Sequence, residues 1–532
     1  MLGGTGLRRG IIGADENSSS GFRPILNDNS VASGAKLAPR IIPRSEHPIS
    51  RSSVSQNALR VLYRLHEAGF QAFLVGGCVR DIMVGHQPKD FDVATDALPE
   101  EVRRLFRNCR LIGRRFRLAH VIYGPEVIEV ATFRASGAPP EADEPTDEDD
   151  SVGEADDQRY APDEVDLQDD EASAHRVLDE RGRILRDNVY GTIDDDVWRR
   201  DFTANSLYYN IADFSVWDYC DGAADIAARR LRLIGDPQTR YREDPVRMLR
   251  AARFEAKLGF TIDEDSARPM VELRHLLGTV PPARLFDEVN KLFLTGHGAA
   301  SLRVLRARGL LGVLFPATEK YLQSHVGGPV EQLLVRGLEN TDARVAADKP
   351  VTPVYLFSLL LYGPIAAAIE AMPAARWHEP MAILDCCDSA LRHAQQRVTI
   401  PRRISLGVRE MYALQPRLEQ PRGKRALRLV EQQRFRAAYD LLLLRAQVGM
   451  ANPAVAQWWT DVQAAAPEQR EAMANALPSG GRGATGSAGS AGEGGIDADG
   501  RGAADSSDGT GPTPRGRRRR GGRRRRRPPD GG

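Results

Sequence analysis

Cysteine is scarce in this chain: five residues in 532, namely Cys78, Cys109, Cys220, Cys386 and Cys387. None forms a C-x-x-C pair and the number is odd, which speaks against a disulfide framework or a zinc site and fits reduced thiols in a cytoplasmic protein. Long apolar runs are also missing. No basic segment leads into an apolar stretch near the first residues, and no window approaches the ~18 consecutive apolar residues of a membrane span. The sequence therefore predicts a soluble, non-secreted protein without a membrane span, and a hydrophobic share of 42% is ample for buried cores. The length leaves room for about two to four domains.

Net charge is nearly absent as well, at +1, but the total conceals segregation. Residues 515–527, "RGRRRRGGRRRRR", hold ten Arg and no acid, whereas residues 141–171 hold sixteen acids and one Arg, leaving +6 on the remainder. Like-charge blocks are solvated and disordered, and a basic one is often an arm for nucleic acid. Arg517, Arg518, Arg519 and Arg520 are therefore candidate nucleic-acid contacts. Residues 1–45, rich in Gly, Ser and Asn without periodicity, read as a disordered leader. Residues of about 137–180 read as an acidic insert, and 471–532 as a flexible tail.

Between these segments the patterns are periodic. In "SVSQNALRVLYRLHEAGF" the residues Ala58, Val61, Leu62, Leu65 and Ala68 recur at helical spacing up to Gly69. "QAFLV", "FDVAT", "RFRLAHVIYG" and "EVIEVATF" read as strands, and "EEVRRLFRNC" as a helix. "DFTANSLYYN" reads as a helix start running into a strand, and "SVWDYCDG" as another strand or turn. From about 236 to 465 the patterns are overwhelmingly helical. The class is α+β: a small mixed sheet carrying helices, followed by all-helical domains.

The chemistry concentrates in "LVGGCVRDIMVGHQPKDFDVAT", residues 74–95. A strand alternates its side chains between faces, so Asp90 and Asp92 point one way while Phe91 and Val93 point the other. Two carboxylates on one face repel unless a cation sits between them. Mg²⁺ binds through one or two carboxylates plus substrate phosphates, and Glu129 of "VIEVATF" offers a third acid on a neighbouring strand. Gly76 and Gly77 let backbone N–H groups approach phosphate oxygens, and Arg80 could add a charged fork. A lone D-x-D or Gly-Gly has little weight by itself. Their ordered succession within one short segment carries the argument.

That string resembles the signature of the class II nucleotidyltransferases, the family of bacterial poly(A) polymerases and CCA-adding tRNA nucleotidyltransferases. The resemblance continues through "IEVATFR", "RRDFTANSLYY" and "YREDPVRMLRAARFEAKLGF". It implies a catalytic head (46–235), a helical neck (236–345), a helical body (346–470) and the tail. It further implies two Mg²⁺ ions on Asp90 and Asp92, ATP as substrate, RNA 3′ ends as acceptors, and RNA-decay proteins as partners. Asp201 of "RRDFT" corresponds to an active-site carboxylate in polyadenylating members, while its ordinary reading is a helix N-cap. Asp244 and Arg247 fall on the family's base-selecting acid and arginine. Here the ordinary reading is that Asp244 caps a helix opened by Pro245. Arg250 and Arg253 continue near that face and could reach the triphosphate, or could simply be solvated.

Two further segments bear on which family member this is. "LIGRRFRLAHVIYG", with Arg114 and Arg115, resembles a segment that sets bacterial poly(A) polymerases apart from CCA-adding relatives. "IPRRISLGVREMYALQPRL", with Arg402 and Arg403, resembles their C-terminal region, a basic helical surface suited to RNA backbone. No His-Asp dipeptide occurs, so the metal-phosphohydrolase domain of some CCA-adding enzymes is not expected. The resemblance thus favours a poly(A) polymerase, with a CCA-adding enzyme and a non-catalytic RNA-binding protein as the alternatives.

Overall fold

The computed structural model describes residues 38–113, 117–135, 190–376 and 379–478, together with the short antiparallel pair Val177–Leu178 and Ile184–Arg186. Arg114, Arg115, Arg517, Arg518, Arg519, Arg520 and most of the acidic insert lie outside the described residues.

An eight-stranded sheet organises residues 40–218. Its strands are β1 (Arg40–Ile42), β2 (Ala72–Val75), β3 (Asp92–Thr95), β4 (Cys109–Ile112), β5 (Leu118–Tyr123), β6 (Glu126–Thr132), β7 (Leu207–Asn210) and β8 (Val216–Asp218). Their spatial order is β1-β8-β7-β2-β3-β6-β5-β4. All neighbours are antiparallel except β3 and β6, which run parallel with Asp92 opposite Glu129. The expected mixed sheet is present. Its outer strand β1 falls inside the leader expected to be disordered to residue 45. Backbone pairing with β8, far along the chain, orders it, and no local periodicity signals such a pairing.

Helix α1 (Gln56–Glu67) starts where Ser55 accepts a hydrogen bond from the Ala58 N–H, and it buries Ala58, Val61, Leu62 and Leu65. Ala68, by contrast, is the exposed C-cap. The apolar stripe covers one face of the sheet, where Leu74, Phe91, Val93, Ile128 and Val130 are buried. The opposite face has a smaller core of Phe73, Val75, Ala94, Phe133 and Tyr208, packed with Ile193 and Val197 of the helix Ile193–Arg199. Burial on both sides explains why β2 reads as an unbroken apolar run rather than an alternation. "DFTANSLYYN" forms only the short 3-10 turn Thr203–Asn205 before β7. Beyond residue 236 the described chain is helical apart from Thr261–Ile262, and one hydrophobic cluster continues from Ile42 to Leu444.

Helix Ile193–Arg199 is tied to the sheet by a buried polar triad. Arg200 donates to Asp196 (2.9 Å) and to the Tyr208 hydroxyl (2.7 Å), which donates in turn to Asp196 (2.7 Å). Burial alone would raise the Asp196 pKa, but the Arg200 and Arg199 guanidinium groups pull it well below the usual carboxylate range. A carboxylate with a depressed native pKa contributes stability that is present above its unfolded value and lost as pH falls below it. Asp196→Ala should therefore lower the unfolding free energy near neutral pH by about 1–3 kcal/mol, because the half-buried Arg200 and the buried Tyr208 hydroxyl lose their charged partner. Urea titrations at descending pH should show the gap to wild type closing in acid. A constant gap would remove the charge from the explanation.

Candidate active site

The carboxylates meet at the end of β2. Val75 pairs with Asp92 in the antiparallel register, and the chain then turns through Gly76 at φ +76°, where L side chains are strained. A Cβ on Gly76 would lie 3.5 Å from Oδ2 of Asp92 and 3.8 Å from Nη1 of Arg200, so the turn sits directly against the acid. From Gly77 the chain enters the short helix Gly77–Met83. Phe91 and Val93 are buried on the α1 side while Asp92 faces the other way; Asp90 is exposed and lies outside β3, which begins at Asp92, so the expected alternation does not extend to it. Glu129 stands beside Asp92 across the parallel pair, between buried Ile128 and Val130, with His120 at 3.8 Å on its far side.

This crowding has an electrostatic signature. The Asp92 pKa is pushed up to about 6, first by burial and then by the charges of Glu129 and Asp90, with Arg200 opposing. A cation bound between the acids would relieve that repulsion. Among the described residues no three His, Cys, Asp or Glu side chains converge closely enough to hold an ion on their own. An open site of one or two carboxylates, completed by substrate phosphates and water, is the arrangement Mg²⁺ favours. The donor set therefore fits Mg²⁺.

Arg80 departs from the expected phosphate fork. It is buried, donating to Asp81 from Nε (2.9 Å) and Nη2 (2.7 Å) and to Asn205 from Nη1. Its guanidinium lies under Gly77, 3.4 Å from where a Cβ would stand, and 5.4 Å from the centre of the Phe254 ring. It therefore braces the glycine turn from below. Asp201 also differs from expectation, because the turn Thr203–Asn205 has no side-chain cap. Its carboxylate instead accepts from Arg250 (Nε 2.8 Å, Nη2 2.7 Å), from the Phe202 N–H and from Asn205. Burial would raise its pKa, yet Arg250 holds it below the usual value. Asp201 thus anchors helix Val246–Leu258 to the sheet domain.

The adjoining helices Pro237–Glu243 and Val246–Leu258 carry the second constellation. Asp244 accepts from the Val246 N–H (3.1 Å), which keeps part of the capping role. The Arg247 N–H donates to the Asp244 carbonyl (3.1 Å), but their side chains turn to other partners. Arg247 donates to the Arg240 carbonyl (2.8 Å) and to Glu243 (3.0 Å), while Arg284 grips both oxygens of Asp244 at 2.9 and 2.8 Å. Sequence reasoning missed Arg284. It lies in the helix Pro282–Phe293, 40 residues from Asp244, with no motif around it. Arg253 stacks 4.7 Å over Phe254 and stands 3.5 Å from the buried Glu288, so neither it nor Arg250 is the solvated helix arginine of the ordinary reading. Arg402 and Arg403 lie exposed in the first turn of helix Arg402–Glu419, far along the chain from these groups.

Comparison with known proteins bears directly on this geometry. Family models described as the poly A polymerase head domain, the probable RNA and SrmB-binding site of polymerase A and the polymerase A arginine-rich C-terminus match residues 72–232, 259–322 and 375–527. Poly(A) polymerase I of Salmonella typhi is 44% identical over 442 residues, covering 82% of this chain and 88% of that protein. The Haemophilus influenzae protein of the same name is 40% identical over 438 residues, 81% and 90% of the respective chains. A CCA-adding enzyme of Bacillus pumilus is 31% identical over only 264 residues, 50% of this chain and 56% of that protein.

The raised Asp92 pKa makes the metal-free carboxylate cluster a source of instability. A native carboxyl whose pKa lies above its unfolded value stabilises the fold while protonated, and that contribution is lost as pH rises from about 4 through about 6. In metal-free buffer, Asp92→Asn should exceed wild type by about 1–3 kcal/mol near pH 8 and lose the advantage near pH 4. Mg²⁺ should raise the melting temperature of wild type but not of Asp92→Asn. Equal response of both proteins to Mg²⁺ would remove Asp92 from the metal site.

Proposed function

Because the chain belongs to the poly(A) polymerase I family, we propose that it adds AMP from ATP to RNA 3′ ends without a template, releasing pyrophosphate, at the site formed by Asp90 and Asp92. The observation that carries this reading is the glycine turn set against Asp92 beside Glu129, in a chain similar over four-fifths of its length to poly(A) polymerases. Likeness to a CCA-adding enzyme extends over half the chain. Mg²⁺ held by Asp90 and Asp92 would polarise the reacting phosphate and neutralise charge on the departing pyrophosphate. Glu129 adds negative potential that favours cation binding. Arg200, the cation that opposes the rise in the Asp92 pKa, favours its ionised, ligating form. Gly76 and Gly77 admit the triphosphate close to the backbone, and the buried Arg80 keeps that turn in place.

Adenine selection falls to Asp244 and Arg247. A carboxylate accepting from the 6-amino group and a guanidinium donating to N1 read adenine by its Watson–Crick edge. Arg284 fixes the first group, while Glu243 and the Arg240 carbonyl fix the second, so the reading pair is set before the nucleotide arrives. Arg250 and Arg253 border the same helix face and supply positive potential for the triphosphate. Arg402, Arg403 and the arginine-rich tail contribute sequence-independent contacts to RNA phosphates. Five free thiols support a cytoplasmic setting.

Incubating the protein with Mg²⁺, a generic RNA and each NTP separately tests the reaction. Long A tracts from ATP alone are expected. Addition of two C and one A from the mixture would favour the CCA-adding alternative, and no extension would leave an RNA-binding protein. Within the polymerase, Asp92→Ala should abolish extension while RNA binding persists. Arg284→Ala should lower kcat/KM for ATP by about 10-fold or more and weaken discrimination against GTP, since freeing one buried charged hydrogen-bond partner costs about 1–3 kcal/mol. Loss of stability with unchanged ATP selectivity would restrict Arg284 and Asp244 to structural support.

A further inference from the structure

The α1 side of the sheet, opposite the face that presents Asp92, contains a groove of about 910 Å³ that the reaction described above does not use. Arg51, Arg60 and Arg64 line it with Tyr63 and Tyr123, and Glu67 is its only carboxylate. Several arginines elsewhere in the sheet domain are neutralised: Arg117 by Glu100, Arg199 and Arg200 by Asp196, Arg232 by Asp225. The three in the groove make no carboxylate ion pair among the described residues. Arg51 lies 5.7 Å over the Phe214 ring, Arg64 lies 5.5 Å over Phe106, and Arg60 donates only to Asn57. Stacking on a ring orients a guanidinium without consuming its hydrogen-bond donors. Tyr63 and Tyr123 are half-buried and line the groove.

Unpaired cations interleaved with exposed aromatic faces are the combination that holds single-stranded nucleic acid, with phosphates on the arginines and bases on the rings. The position of the groove favours RNA over other polyanions. Asn57, at the start of α1, donates to Glu126 (2.6 Å) at the start of β6, and Glu129 beside Asp92 is three residues further along the same strand. Tyr123 of the groove pairs with Glu126, which at about 3.3 Å per residue lies about 10 Å along the strand from Glu129. An RNA whose 3′ end lies at Asp92 needs only to round the end of the sheet to reach it. Resting on the polymerase reading above, we propose that this groove is a second RNA site, holding the single-stranded segment upstream of the growing 3′ end and thereby prolonging each engagement.

The test compares the full-length protein with its Arg51→Glu/Arg60→Glu/Arg64→Glu variant on an RNA of about 5 nucleotides, which the active site alone can accommodate, and on one of about 20. Addition of a single AMP to the short RNA should be unchanged, which also shows that the variant is folded and that the polymerase reading stands. Binding of the long RNA should weaken about 10-fold or more at low salt, its log–log salt slope should flatten by about 2 for three lost phosphate contacts, and A tracts should shorten. A second variant, Tyr63→Ala/Tyr123→Ala, should weaken long-RNA binding with little change in the salt slope. Long-RNA affinity, salt slope and tract length all equal to wild type in the arginine variant would overturn the proposal, whether the groove is covered by the acidic residues 141–171 or by another protein. Failure of wild type to extend even the short RNA would instead overturn the polymerase reading beneath it.

Discussion

Mutual repulsion among Asp92, Glu129 and Asp90 is the constraint around which the sheet domain is organised. Like charges at one end of a sheet do not stay together by themselves, and Asp92 is partly withdrawn from water as well. Packing on the opposite face holds them in place. Phe91 and Val93, which flank Asp92, are locked against α1, and Ile128 and Val130 do the same for Glu129. The strands cannot rotate to separate the acids without exposing those apolar side chains, each contributing about 1.5–3 kcal/mol by burial. The pairing of two strands thus holds these carboxylates together against their repulsion.

A second layer of charge keeps this arrangement rigid. The triad of Asp196, Arg200 and Tyr208 places a half-buried cation next to the glycine turn, while Arg80 supports the turn from Asp81 and Asn205. Asp201 and Arg250 then join the sheet domain to helix Val246–Leu258, and Arg284 of helix Pro282–Phe293 grips Asp244 just before that helix. Phe254 lies beneath the guanidinium groups of Arg80, Arg250 and Arg253 together. Several residues expected to meet substrate directly are therefore also parts of a charge network that fixes the distance between the Asp92 carboxylate cluster and the proposed base-reading pair. Fixing such groups in advance reduces the entropy lost when a nucleotide binds.

Much of the catalytic end could be read from the chain alone, because its determinants are local. The period-2 pattern around Asp92 dictates which side chains share a face, a Gly pair permits a turn at positive φ, and the 3.6-residue period of α1 identifies its buried stripe. The pairings that join distant segments were not legible. β1 is ordered by β8 through backbone hydrogen bonds that any sequence can make, Asp201 meets Arg250 across 49 residues, and Asp244 meets Arg284 across 40. In a chain with 73 basic residues, nothing about an arginine's neighbours in sequence reveals which carboxylate it will reach. The sequence by itself determined the carboxylates, the turn and the apolar faces, since these follow from the stereochemistry of neighbouring residues. Only the tertiary structure decided which carboxylate each bracing arginine meets, since an ion pair depends on separation in space.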